Sequence, residues 1–153
     1  METTARLRRA EDEAGHMADL TQRDYTSLLE FRTALRRFER WSEDQARLVG
    51  LTPAQHQLLL AVKGHPDGRG PTIGDVAAYL TVRHHSAVGL IDRTADAGLI
   101  ARMRDSDDSR AVRITLTEAG EDRIERLSEL HLTELSRLAP ILDHLAAATD
   151  ERR

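Results

Sequence analysis

The sequence predicts a mainly α-helical chain with one small β-hairpin. Three observations carry this. Long stretches at either end place apolar residues at helical spacings of three and four. Between them, two short helix-like segments are separated by only Thr81-Val82-Arg83. Finally, Ala111 to Leu116 alternates polar and apolar residues after the turn-rich run Asp105-Ser106-Asp107-Asp108-Ser109-Arg110, which is the pattern of a hairpin with a polar tip.

The elements follow in order. The first eighteen or so residues mix charge with small residues around Gly15 and are expected to be frayed or weakly helical. From Thr21 to Val49 there is neither proline nor glycine, and Leu28, Phe31, Leu35, Phe38 and Ser42 mark one face of a long helix that Gly50 ends. Thr52-Pro53-Ala54-Gln55 starts the next helix with a cap, a first-turn proline and a capping-box glutamine. That helix runs through Leu58, Leu59 and Val62 to Gly64, and His65 to Pro71 is a loop by composition. A short helix opens at Thr72, with Asp75 at its capping-box position and Ile73, Val76, Ala77 and Leu80 on one face. A second follows from His84 to Ala97, with Val88, Ile91 and Ala95 inward, and stops at Gly98. Leu99 to Arg104 and Ala111 to Leu116 form the hairpin. Thr117 caps a last helix whose seam of Ile124, Leu127, His131, Leu135, Leu138, Leu142 and Leu145 is heptad-like, with Pro140 expected to kink or divide it.

Composition narrows the function. The 153 residues hold no cysteine, which excludes disulfides, thiolate metal sites and cysteine chemistry. No apolar run approaches the ~20 residues needed to span a bilayer, and no signal-peptide pattern opens the chain, so a cytoplasmic protein without membrane contact is expected. The net charge of -4 does not announce nucleic acid, but its distribution is uneven: between Arg83 and Arg113 six arginines stand against five aspartates.

Short helix, tight turn, second helix and hairpin, in that order, are the layout of a winged helix-turn-helix, whose second helix enters the major groove of DNA. The expected fold class is therefore mainly α with a small β-wing, a winged helix-turn-helix with N- and C-terminal dimerisation helices. The expected organisation is 1–50 as an N-terminal dimerisation segment, 51–116 as the DNA-binding domain and 117–153 as C-terminal dimerisation helices. The face of the second helix opposite its apolar side offers His85, Ser86, Gly89, Asp92, Arg93 and Asp96. A glycine inside a helix costs about 1 kcal/mol relative to alanine. Gly89 therefore reads either as room for close approach to a groove or as a packing point for a neighbouring helix.

These pieces resemble the MarR family of transcription regulators. The matching segments are Leu51-Thr52-Pro53-Ala54-Gln55, Ile73-Gly74-Asp75-Val76-Ala77-Ala78-Tyr79-Leu80, Gly98-Leu99-Ile100-Ala101-Arg102, the run Asp105 to Arg110, and Ile114-Thr115-Leu116-Thr117-Glu118-Ala119-Gly120. The resemblance implies a homodimer whose terminal helices pair and whose winged domains straddle a pseudo-palindromic double-stranded DNA operator. It implies a repressor, not an enzyme, released by a small aromatic or phenolic effector and needing no cofactor. The family's Asp-x-Arg wing signature falls on Asp108-Ser109-Arg110, where the Asp is implied to hold an Arg that enters the minor groove. The family's recognition helix often carries Thr and Ser near its start. Here Arg83-His84-His85-Ser86-Ala87 stands there, so no operator sequence carries over.

The candidate DNA contacts are accordingly Arg83, His84, His85, Ser86, Gly89 and Arg93 on the recognition helix, and Arg102, Arg104, Asp108 and Arg110 on the wing. Arg102, Arg104 and Arg113 flank the wing as phosphate contacts or as ion-pair partners of Asp105, Asp107 or Asp108. His84 and His85 diverge by about 100° on a helix, so they do not grip one metal ion together. No metal site is expected. A nucleophile at Ser86 lacks an orienting carboxylate and an oxyanion motif, so no catalytic residue is assigned. Arg37, Trp41 and His56 are candidates for an effector pocket, although packing alone also explains Trp41 and His56. The dimer interface is expected at Ile124, Leu127, His131, Leu135, Leu138, Leu142 and Leu145, with His131 a satisfied interface histidine. The rival reading is a winged-helix module that binds protein without specific DNA binding.

Overall fold

The computed structural model describes residues 20–150, with side chains to residue 147. The expectation of a frayed or weakly helical start lies outside the described residues. The elements are α1 (Gln22–Leu48), α2 (Pro53–Lys63), α3 (Ile73–Leu80), α4 (His84–Asp96), β1 (Ile100–Arg104), β2 (Val112–Leu116) and α5 (Glu118–Asp150). Both anticipated capping boxes form. The Thr52 and Thr72 hydroxyls accept from the backbone of Gln55 and Asp75, whose side chains accept in return from the cap N–H groups. Thr117 caps α5, accepting from Gly120 N–H while its hydroxyl donates to the Gly98 carbonyl at 2.7 Å. Pro140 does not divide α5, which runs helical through it.

The chain separates into two compact units. The boundaries expected at 50 and 116 fall just past the end of α1 and at the end of β2, whereas the units part inside α1 and α5, after Phe38 and after Glu134. The unit from Glu39 to Glu134 has the winged helix-turn-helix architecture, with α3, the turn at Thr81, α4 and the antiparallel pair β1–β2. Thr81 closes α3 in the left-handed region at φ 54°, a conformation that turns the chain tightly into α4. The strands pair Ile100 with Leu116, Arg102 with Ile114 and Arg104 with Val112. A third, one-residue edge is added by Thr72 opposite Arg113, where Ile114 N–H donates to the Pro71 carbonyl at 2.9 Å. Gly70 makes this edge possible. Its φ is +86°, and a Cβ there would lie 2.1 Å from the Ile114 carbonyl oxygen.

The core of this unit gathers Ala46, Leu51, Leu58, Leu59, Val76, Ala87, Ile91, Leu99, Ile114, Ile124 and Leu127. Ile124 and Leu127 are thus corrected. Both are completely buried against their own chain and offer nothing to an interface. The same heptad-like spacing serves two purposes along α5, because its first turns cover the winged core.

The other unit comprises the described residues to Phe38 and those from Leu135. Phe31, Leu35, Phe38, Leu138, Ile141 and Leu142 line an apolar groove of about 160 Å³. Leu28, Leu29, Leu135 and Leu142 on the same two helices remain between 44% and 64% exposed, and Leu145 is half-buried. No described helix is long and apolar enough to cross a membrane.

Candidate nucleic-acid interface

Helix α4 buries Ala87, Leu90, Ile91 and Thr94, and the Thr94 hydroxyl satisfies itself on the Leu90 carbonyl at 2.7 Å. Val88 and Ala95, expected inward, are only half-buried, so the buried ridge is rotated toward Leu90 and Thr94. The opposite side exposes His84, His85, Ser86, Asp92, Arg93 and Asp96. Arg83 stands at the N-cap without a side-chain cap bond, so the first-turn N–H groups of α4 have no side-chain acceptor there. Gly89 packs against no neighbouring helix, which removes the packing reading. A Cβ added there would meet only the far end of the Arg93 side chain, at 3.3 Å.

On the wing, Arg104 and Arg110 are exposed and make no ion pair among the described residues. Arg102 pairs with Asp92 of α4, a partner outside the wing that ties the hairpin to the recognition helix. Arg113 takes the ion-pair alternative. Its Nε donates to the Asp105 carboxylate at 2.6 Å and its Nη1 to the Gly70 carbonyl at 3.2 Å. The expected side-chain fork between Asp108 and Arg110 is also corrected. Asp108 Oδ1 accepts from the Arg110 backbone N–H at 3.0 Å, a local turn bond, while the Arg110 residue is exposed.

Two residues outside the candidate DNA contacts organise this region. Asp105 is buried at the base of the tip, and its carboxyl is held below the usual carboxylate range first by the Asp107 N–H and then by Arg113. Arg69, from the loop before α3, donates to Asp67, Asp107 and Asp105. Nothing local in the sequence marks Arg69, since two of those partners lie 36 and 38 residues further along.

Trp41, His56 and His131 form an aromatic cluster in the winged unit, with ring centroids 4.8 Å apart for Trp41–His131 and 4.7 Å for His56–His131. His131 Nδ1–H donates to the Leu127 carbonyl at 2.7 Å, and its Nε2 shares a hydrogen bond with the Ser42 hydroxyl at 2.7 Å. His131 is therefore satisfied within its own chain. Burial, and then the charge of His131, pushes His56 down to about 4. Arg37 is exposed and falls in the other unit. Among the described residues no group of three or more His, Cys, Asp or Glu is placed to hold a metal ion.

Comparison with known proteins places this geometry. The MarR family model matches residues 49–111, the span of α2 through the wing tip. The transcriptional activatory protein BadR of Rhodopseudomonas palustris is 34% identical over 80 residues, covering 52% of this chain and 46% of BadR, so the match spans about half of that relative's length. A MarR family protein from Bacillus stearothermophilus superposes with a TM-score of 0.65 at 25% identity, over 78% of this chain and 81% of that one. A MepR mutant from Staphylococcus aureus, solved bound to an oligodeoxyribonucleotide, gives 0.60 at 20% identity over 87% and 96% of the two chains.

Proposed function

We propose, from the match of residues 49–111 to the MarR family, that the chain is a MarR-family sequence-specific DNA-binding transcription regulator, not an enzyme, acting in the cytoplasm as a homodimer. The observation that carries this reading is the exposed face of α4: polar and cationic side chains surround a position with no side chain at all, beside a wing whose Arg104 and Arg110 are exposed. His85 and Ser86 are the base readers, and such contacts discriminate by ~1–3 kcal/mol each. Arg83, Arg93 and Arg104 meet phosphates, which orient the protein without specifying sequence. Arg102 joins them from its pair with Asp92. Arg110 enters the minor groove, where a narrow groove enhances the negative potential.

Dimerisation is assigned to the unit that holds Leu135, Leu138, Leu142 and Leu145, so the functional division becomes a winged reader with long helices that extend beyond it. A dimer straddling two half-sites blocks any promoter that overlaps them, which is the basis for reading a repressor. Release by a small aromatic or phenolic ligand rests on the family resemblance.

Selection of duplexes from a random library by the full-length protein tests the proposal. The expected product is an inverted repeat with half-sites about one helical turn apart, roughly 34–36 Å, bound with an affinity that falls steeply with salt. Enrichment of no motif, or binding indifferent to salt, contradicts it.

A further inference from the structure

The wing tip presents an electrostatic difficulty. Asp105, Asp107 and Asp108 lie within four residues at the place where DNA phosphates are expected, and Asp67 stands beside them through Arg69. Unpaired carboxylates there would oppose binding. Two guanidiniums from outside the tip answer them, Arg113 from β2 and Arg69 from the loop before α3.

Asp105 is the centre of this arrangement. Its side chain is only 2% exposed. Oδ1 accepts from the Asp107 N–H at 2.8 Å and, at longer range, from the Asp108 N–H and Arg69 Nη1, both at 3.4 Å. Oδ2 accepts from Arg113 Nε at 2.6 Å. The backbone of the same residue closes the tip, because Asp105 N–H donates to the Ala111 carbonyl at 3.0 Å and Ala111 N–H to the Asp108 carbonyl at 2.9 Å. Asp108 then fixes the Arg110 N–H. A continuous chain of bonds thus runs from the α2–α3 loop, through one buried carboxylate, to the backbone of the residue expected in the minor groove. Side chains gripped by charge-assisted bonds lose little freedom when a ligand arrives.

We propose that Asp105 and Arg69 are positioning residues for DNA binding: the buried carboxylate, gripped by Arg113 and by Arg69, sets where the wing presents Arg110, and neither residue acts by touching a base. The proposal rests on the DNA-binding reading above. It differs from a direct role for Arg69 on phosphate, because a positioning residue matters only while Arg110 is present to be positioned.

The test uses the full chain and the duplex that wild type enriches from a random library. Affinity is measured against salt for wild type, Asp105→Asn, Arg69→Gln, Arg110→Ala and the two doubles with Arg110→Ala. Asp105→Asn keeps an acceptor for the tip N–H groups but replaces the oxygen that holds Arg113. Asp105→Asn and Arg69→Gln are each expected to weaken binding about tenfold, the scale of one charge-assisted bond, and to flatten the salt slope as Arg110→Ala does. In the Arg110→Ala background the same changes should cost less than about twofold. If Asp105→Asn fails to fold, Arg69→Gln carries the test, since Arg69 is nearly half exposed. Losses that persist in full without Arg110, or variants that bind as wild type does, overturn the inference alone. A wild-type chain that enriches no duplex overturns the DNA-binding reading and this inference with it.

Discussion

Leu138→Asp is expected to turn a dimer into a monomer and to abolish binding to a two-half-site duplex. Leu138 lines the apolar groove of the unit that contains Phe31, Leu35 and Phe38, and every residue lining that groove is apolar. An aspartate there meets no cation among the residues that line the groove. Leaving one charge uncompensated in a buried seam costs about 3–5 kcal/mol, and two-fold symmetry introduces the change twice. Exposed Leu28, Leu29, Leu135 and Leu142 make the same unit an apolar surface in search of a cover. The winged core should be untouched, because its buried residues on α5, Ile124 and Leu127, lie in the other unit. Sedimentation at micromolar concentration checks this. Wild type should run as a dimer and the variant as a folded monomer, and a variant that sediments with wild type contradicts the assignment.

Acid should destabilise the winged unit before Asp67, Asp75 and Asp105 are protonated. His56 is 3% exposed and is pushed down to about 4 by burial first and by His131 second. Above pH 6.5 the residue is neutral folded and unfolded, so its contribution to stability is complete. As pH falls from 6.5 to 4, the unfolded chain takes up the proton and the folded chain refuses it, so stability is lost across that window, by up to about 3 kcal/mol. Asp67, Asp75 and Asp105 are held low by their hydrogen bonds, so their contributions are lost only as pH falls through about 4 and below. Urea unfolding of wild type and His56→Phe at pH 7.5, 5.5 and 4.5 separates the two. Wild type should lose more stability than the variant as pH falls, because the variant lacks the His56 penalty. Parallel curves would show that His56 does not resist protonation.

What the sequence made legible was local. The capping boxes at Thr52 and Thr72 could be read because cap and partner are three residues apart. The order of α3, α4 and the hairpin could be read because each is announced by its own periodicity and its own stop. The remainder depends on residues far apart in sequence. Ile124 and Leu127 share their spacing with Leu135 and Leu138, and only packing reveals that the first pair covers the winged core. Gly120 reads as an ordinary residue of the first turn of α5, yet a Cβ there would stand 2.1 Å from the Leu99 carbonyl oxygen. Asp105 reads as one of three tip aspartates that could pair with Arg113, and neither its burial nor its contact with Arg69 is legible locally. The Asp108–Arg110 relation was read as two side chains paired, whereas a two-residue separation in a turn more readily brings the carboxylate to the backbone N–H.

Whether the exposed face of α4 enters a groove is decided by Gly89→Ala, because this change separates folding from binding. Alanine at this position meets only a flexible arginine tip and removes a mid-helix glycine. The folded chain should therefore gain about 0.5–1 kcal/mol and melt slightly higher. If the helix lies in the groove, the added methyl stands between backbone and base edges, and affinity for the selected duplex should fall by about tenfold or more, the scale of one lost base contact. A variant that melts higher and binds weaker is the predicted result. A variant that melts higher and binds the duplex as tightly as wild type would contradict the claim that this face reads DNA.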